Sequence, residues 1–555
     1  MLSIIFIWIY MLITCYTLGF SALRLICGKG FSAVKRESSF LYAGIVAVTV
    51  YSQIFSIFYR VGLLANVVLL LACAGCILAL RRELAGHLRE LPALITPGRA
   101  VTAVFLFLLF AYGTSTGVIH YDTGLYHAQS IRWIEEYGVV PGLGNLHSRL
   151  AYNSAAFGLS ALYSFSFLGG QSFHGCAGFM AWLLAVVCAE GLYGRRAGAP
   201  RLSDLVRVMG VYYLLIIFDE MVSPASDYFM VLSVFFLVIR WLDLAERKEG
   251  GWLSYGLLCV FAVFIVTVKL SGALILLLVL KPAVMMIREK KGKEIALFLG
   301  LGFFTALPFF VRNVILSGWL VYPFTFIDLF SFDFKIPKGM ADYDSREIQV
   351  WGRGFSDVTR YEEPVAEWFP QWAASLDFVN KVFLVLALSG LAILILIGIF
   401  SIKKREEGRG DFLLVAGTMA ASFLFWGMSA PLIRYGCVYL WLFPTLVWGY
   451  VYLKISPGTD RYRILGILLV FAGCYKLGAF AVETARSAVP DYLVFQKDYE
   501  NFETVPYELC GYTFYYPREG DRTGYRDFPA SPVKAGDIFR GESISDGFKD
   551  VIHSE

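Results

Sequence analysis

Long apolar runs, separated by short polar breaks, recur along almost the whole chain. They fall at about 3–23, 39–58, 61–80, 100–119, 172–193, 206–219, 228–244, 252–268, 271–287, 295–311, 379–400, 411–428, 436–453 and 462–481. A helix needs about 20 apolar residues to cross a bilayer, so the pattern predicts an all-α polytopic membrane protein with about 14 transmembrane helices. Three stretches break the rhythm: 120–171, 329–378 and 482–555. They divide the chain into an N-terminal three-helix extension (1–99), a core (100–328) containing the loop 120–171, a second loop (329–378), C-terminal helices (379–481) and a tail (482–555).

Sidedness follows from Lys and Arg in short loops, which favour the cytoplasm. One set of alternate loops is basic: Arg24, Lys29, Lys35 and Arg36; Arg81, Arg82, Arg89 and Arg99; Arg195, Arg196, Arg201 and Arg207; Arg247 and Lys248; Arg288, Lys290, Lys291 and Lys293; Lys403, Lys404, Arg405 and Arg409; Lys454, Arg461 and Arg463. The opposite loops carry little beyond Arg60 and Lys269. The loop 120–171, the loop 219–227, the segment 312–378, the loop near 429–435 and the tail are then expected outside, in the periplasm of a bacterial inner-membrane protein. The first helix reads as retained, with its N-terminus outside, because no basic residue precedes it. The run 155–168 is apolar enough to span, but a crossing there would invert the Arg195–Arg196 loop, so it is read as dipping into the outer interface. Residues 123–137 read as an interfacial helix, with Leu125, Ile131 and Ile134 on one side and His127, Gln129, Arg132, Glu135 and Glu136 elsewhere. In the tail, Tyr512, Phe514, Tyr515 and Tyr516 suggest a short strand in a small outer lid.

Composition agrees. Only 17% of residues are charged and 57% are hydrophobic, against about 25% charged in a soluble domain. Net charge is +4, and no nucleic-acid partner is expected. Most of the ten cysteines lie in apolar runs and form no CxxC…CxxC or His/Cys metal pattern, so they read as small hydrophobes.

The chemistry concentrates at the outer ends of spans, where ionisable groups are costly unless functional. The stretch HYDTGLYHAQSIRWIEEYGVVPGLGNLHSRLAYN runs from His120 to Asn153. Asp122 stands first in it, able to take a proton from a hydroxyl or hold a cation; helix capping is the structural alternative. Tyr126 lies one turn on. His120, Asp122 and His127 form a possible ligand set, so a divalent metal ion stays open while no metal site is assigned. Asp219, Glu220 and Asp227 crowd the loop FDEMVSPASD, with capping again the alternative for Asp227. Arg312 and Arg434 lie outside against the charge trend and suit phosphate, with Arg149 a third candidate. Tyr126, His127, Arg149, Asn153, Arg312 and Arg434 are the expected substrate contacts.

This layout resembles the GT-C class of membrane glycosyltransferases, which use polyprenyl-phosphate sugars. The resemblance rests on a span leading straight into Asp122, on the segments 123–137 and 155–168 after it, on Asp227 in the next outer loop, on Trp133–Pro141 (WIEEYGVVP) and on the RN…G…YPF passage from Arg312 to Phe324. More closely, HYDTGLYHAQSIRWIEEYGVVPGLGNLH and the tail motif RGESISDGF resemble a family of uncharacterised bacterial GT-C-like membrane proteins. Two features depart from the class: three extra spans precede Asp122, and a Lys-Pro-Pro of some members is replaced by His147-Ser148-Arg149. The resemblance implies an inverting transfer of sugar from a polyprenyl-phosphate donor to a glycan or lipid acceptor of the cell envelope, with Asp122 as general base and Asp227 as a second catalytic acid. A polysaccharide polymerase or ligase using undecaprenyl-linked donors is the alternative. A flippase or transporter ranks lower, since no internal repeat or mid-span charge is evident.

Overall fold

A computed structural model describes residues 1–33, 37–193, 200–403, 408–455, 459–486 and 490–550. Lys35, Arg36, Arg195, Arg196, Lys404 and Arg405, which contributed to the charge-based topology, lie outside the described residues. The chain is mostly helical. Its α-helices are α1 (Leu2–Cys27), α2 (Glu37–Phe58), α3 (Leu63–Ala79), α4 (Arg81–Leu94), α5 (Pro97–Ser115), α6 (Ala128–Glu136), α7 (Ala155–Leu162), α8 (Cys176–Tyr193), α9 (Leu202–Ile216), α10 (Ser226–Arg247), α11 (Trp252–Val268), α12 (Leu280–Arg288), α13 (Gly292–Ser317), α14 (Lys338–Gly352), α15 (Val365–Ser375), α16 (Phe378–Lys403), α17 (Arg409–Ser429), α18 (Ile433–Ile455) and α19 (Thr459–Arg486).

Among the described residues nine helical segments are long and apolar enough to cross a membrane: α1, α2, α5, α10, the continuous stretch Leu270–Arg288 that ends in α12, α13, α16, α17 and α18. The number rises to ten if α3 and α4, bent by 86°, form one span. The apolar helices at 155–168, 176–191 and 252–268 are shorter. The protein is thus a multi-pass helical membrane protein.

Helix α10 is the central post. Every residue from Ser226 to Ile239 is buried, and α8, α9, α11, α17 and α18 pack around it. Its end remote from Asp227 is fixed by Arg207 of α9, which donates to both oxygens of Asp243 at 2.6 and 2.7 Å. Two hydrogen bonds in a fork orient the guanidinium. Helices α1 and α2 approach most closely where Gly19 and Gly44 face them. A Cβ on Gly44 would stand 1.8 Å from the Cys15 carbonyl oxygen, and one on Gly19 would stand 1.9 Å from that of Phe40. With no hydrophobic force between helices in lipid, such backbone contact carries the association.

The segment 123–137 is a π turn, Thr123–His127, followed by α6. It is packed inside the protein: Ala128 to Ile131 and Trp133 to Glu135 are buried. The polar face predicted to meet water is covered by the tail. Gln129 Nε2 donates to the carbonyls of Gly524 (3.0 Å) and Asp527 (2.8 Å), and Arg132 donates to that of Tyr525 at 2.6 Å. Helix α7, eight residues long and wholly buried, packs on α2 and α6 and is too short to span.

The tail carries an antiparallel hairpin, β1 (Thr504–Leu509) and β2 (Tyr512–Pro517), around Cys510 and Gly511, both at positive φ as a two-residue hairpin turn requires. Phe514, Phe539 and Phe548 share an apolar cluster with Trp133, Val140 and Leu143. The backbones meet at Gly142 (φ 65°) and Gly547 (φ 91°): Cβ atoms there would lie 2.0 Å from the Phe548 oxygen and 2.1 Å from the Pro141 oxygen. The Pro141–Gly144 turn and the RGESISDGF stretch therefore dock onto one another.

Overpacking the α1–α2 crossing costs about 1–3 kcal/mol or more. Gly44→Val is expected to lower the thermal unfolding midpoint of the purified protein clearly. Gly75→Ala, where no atom lies within 4 Å of the added carbon, leaves that midpoint unchanged or slightly raised.

Candidate functional site

Two loops at span ends carry the predicted acids, and backbone bonds join them. The Val118 amide donates to the Asp219 carbonyl at 2.6 Å, and the His120 amide donates to Ser223 Oγ at 2.7 Å. This brings Asp122, on the π turn, and Asp227, in the first turn of α10, to one place. The third contributor comes from far along the chain. Ala430, Pro431 and Leu432 separate α17 from α18, and Arg434 and Tyr435 sit ahead of a kink at Gly436.

Arg434 Nη2 donates to Asp122 Oδ2 at 2.5 Å. Its Nη1 faces the His120 ring, donating to Nε2, while its buried Nε has no partner. Lys269, between α11 and the following stretch, donates to Asp227 Oδ1. Tyr435 links the two ion pairs: its ring lies 4.0 Å below Lys269 Nζ, and its hydroxyl is 3.4 Å from Arg434 Nη2. Two carboxylates and two cations thus form one compensated group, with Asp122 and Asp227 14% and 9% exposed. Pairing is what makes such burial tolerable.

The electrostatics follow. Burial pushes the Asp122 carboxyl up, but Arg434 and the neighbouring groups together outweigh it and hold it below the usual carboxylate value, so it stays ionised. Burial, aided by Arg434, pushes His120 down. Burial pushes His127 down to about 3, and its neutral ring packs against Tyr126 (4.3 Å) and Phe157 (5.4 Å), with Nδ1 3.2 Å from the Thr123 hydroxyl.

Neither carboxylate makes a capping hydrogen bond. Asp122 precedes the π turn in helical backbone geometry with no side-chain bond to the turn, and the cap of α10 is Ala225. The proposed His120, Asp122 and His127 ligand set is not assembled: His120 Nε2 is turned to Arg434, and among the described residues no group of three His, Cys, Asp or Glu could hold a metal ion.

The other predicted contacts fall into neighbouring groups. Tyr126 meets Tyr152 edge to face at 5.6 Å. Tyr152 donates to Asp344 of α14 at 2.7 Å, and Ser148 Oγ is 3.3 Å from the same carboxylate. Arg149 stacks over Trp351 (4.5 Å) and lies 3.9 Å from Glu347. Arg312, 3% exposed, instead joins Asn153 (3.1 Å) and the Ser56 hydroxyl. Asn153 in turn donates to the Phe309 carbonyl at 2.9 Å. Sequence reasoning missed Lys269, Tyr435, Tyr152 and Asp344. Lys269 had one signal, a lone cation between two apolar runs.

The tail roofs the group. The Thr523 and Gly524 amides donate to the Gly124 carbonyl at 3.0 and 2.8 Å, Tyr121 donates to Asp521, and Lys497 donates to Gly117 at 2.9 Å.

A family model described as "Domain of unknown function (DUF8201)" matches residues 1–441. The chain belongs to this family. The DUF8201 region holds Asp122, Asp227, Lys269, Arg434 and Tyr435, and ends ahead of the tail that covers them. No curated protein and no solved structure matches the chain.

Glu135 of α6 ties the roof down. It accepts from Tyr525 at 2.5 Å and from Ser172 at 3.0 Å, and burial pushes it up to about 7. A carboxyl raised on folding stabilises below its unfolded value and loses that contribution as pH rises through the folded value. Tail docking is therefore expected to be firmest near pH 5 and to loosen towards pH 8, seen as faster proteolysis within 490–550. Glu135→Gln should flatten that pH dependence; an unchanged profile would assign it to another group.

Proposed function

We propose that this group is the reaction centre of a GT-C-type glycosyltransferase of the bacterial inner membrane, moving a sugar from a polyprenyl-phosphate donor to a hydroxyl of a cell-envelope glycan or lipid on the periplasmic face. The observation that carries the reading is Arg434, shared between Asp122 and His120 with one donor unspent. While Arg434 holds it, Asp122 is ionised but a weak base. A donor phosphate is a stronger partner for the guanidinium fork. As Arg434 turns to it, Asp122 loses its counter-charge and its proton affinity rises.

Asp122 then takes the proton of the acceptor hydroxyl. The acceptor oxygen bonds to the anomeric carbon from the face opposite the phosphate, the carbon–oxygen bond to phosphate breaks with inversion, and polyprenyl phosphate leaves with the electron pair. Arg434 stabilises the charge growing on it, the kind of contribution that dominates such sites. Asp227, steadied by Lys269, orients the acceptor, and Tyr126 and His127 wall the pocket. The tail excludes water.

A second reading, a polymerase or ligase using an undecaprenyl-linked donor, is favoured by Arg312. This cation is buried with only the neutral partners Asn153 and Ser56 and suits a phosphate.

General-base removal costs about a hundredfold or more. Asp122→Asn should lower sugar transfer by that factor in isolated membranes supplied with polyprenyl-phosphate sugar, with normal insertion, and surface glycans analysed by mass spectrometry should lose the residue added. Near-normal transfer removes Asp122 as base. A greater loss in Arg312→Gln than in Asp122→Asn favours the second reading.

A further inference from the structure

Helices α1, α2, α10, α11 and α13 enclose a cavity of about 450 Å³ far from the Asp122 group. One face of α2 lines it at helical spacing: Ser39, Tyr42, Val46, Val50 and Ile54. These residues span about 22 Å at the α-helical rise of 1.5 Å per residue. The walls are otherwise almost wholly apolar, and Phe304 on the rim is 56% exposed, so the cavity meets the lipid phase.

One end is polar. Ser39, Arg240 and Ser254 converge there. Arg240 donates to Ser39 Oγ at 3.4 Å and lies 3.8 Å from Asp243, whose oxygens Arg207 engages. Arg240 stands thirteen residues beyond Asp227 on α10, about 20 Å along the helix. The polar end therefore faces the side of the membrane opposite Asp122, where Arg247, Lys248, Lys291 and Lys293 also lie. One turn deeper than Ser39, Tyr42 lines the cavity; its buried hydroxyl has no hydrogen-bond partner among the described residues, and its ring is stacked on Phe236 at 3.5 Å.

We propose that this cavity binds an anionic phospholipid from the leaflet opposite the Asp122 group. Its phosphate meets Arg240, Ser39 and Ser254, an ester carbonyl accepts the Tyr42 hydroxyl, and one hydrocarbon chain lies along α2. The order matches the molecule: charge at the surface, ester one step below, hydrocarbon beyond. The Arg240 guanidinium selects an anionic headgroup, and the narrow apolar track takes a chain. Such a lipid would wedge the N-terminal helices against the central post, independently of what the Asp122 group does.

The test uses the full-length protein, delipidated in detergent and titrated with phosphatidylglycerol, phosphatidylcholine or undecaprenyl phosphate, and read by native mass spectrometry. Phosphatidylglycerol is expected to bind preferentially. Arg240→Gln should weaken it about tenfold, the worth of one charge-assisted contact, and erase the preference over phosphatidylcholine. Ala47→Phe, which fills the track, should remove binding. If that variant does not fold, Tyr42→Phe, which deletes one oxygen, should weaken phosphatidylglycerol binding while raising no barrier to folding. Equal binding of the two phospholipids, preference for undecaprenyl phosphate, or affinity unchanged in both Arg240→Gln and Tyr42→Phe would overturn the proposal.

Discussion

The architecture around Asp122 turns on one requirement: charges drawn out of water at the end of a span must meet opposite charges there. Arg434 satisfies it for Asp122, and Lys269 satisfies it for Asp227. Because the partners come from four separate stretches, the pairing also fixes tertiary structure. It ties the π turn after α5, the first turn of α10, the break after α11 and the start of α18 into a single unit. Tyr435, touching both cations, makes the two pairs one group.

Below this group the helices obey a different rule. Apolar side chains gain nothing from meeting each other rather than lipid, so close approach has to come from shape. The α1–α2 crossing uses glycine for this, and α10 uses an unbroken sleeve of neighbours with a forked ion pair at its far end. These contacts hold α10 rigid, and Asp227 rides on its first turn.

How much of this could be read from the residues depended on range. All 14 apolar runs are largely helical, because long apolar runs have few other ways to satisfy their backbone in lipid, and among the described residues nine or ten segments are long and apolar enough to cross. Asp122, Asp227 and Arg434 stood out because charge at the end of a span is conspicuous. Their companions did not. Asp344 sits in a polar loop where an acid is unremarkable, and Tyr152 shows its role only once folding sets its hydroxyl against that carboxylate. Capping was a reasonable local expectation for both Asp122 and Asp227, and it lost to partners hundreds and tens of residues away. The burial of α6 was equally hidden. Its polar residues meet carbonyls and a tyrosine nearly 400 positions downstream, and no periodicity within the helix could announce them.

The docking of the tail on the Pro141–Gly144 turn bears on how the protein is made. The chain is synthesised from its N-terminus, so Asp122 leaves the ribosome early and its ion-pair partner Arg434 much later. The residues that roof both, Lys497 to Gly524, come later still. The helices before them must be in place, and this tail brought to the same side as Asp122, before the group is closed. Throughout assembly the half-built site stands open and its carboxylate unpaired. Closure of the Asp122–Arg434 group is thus deferred until late in biogenesis.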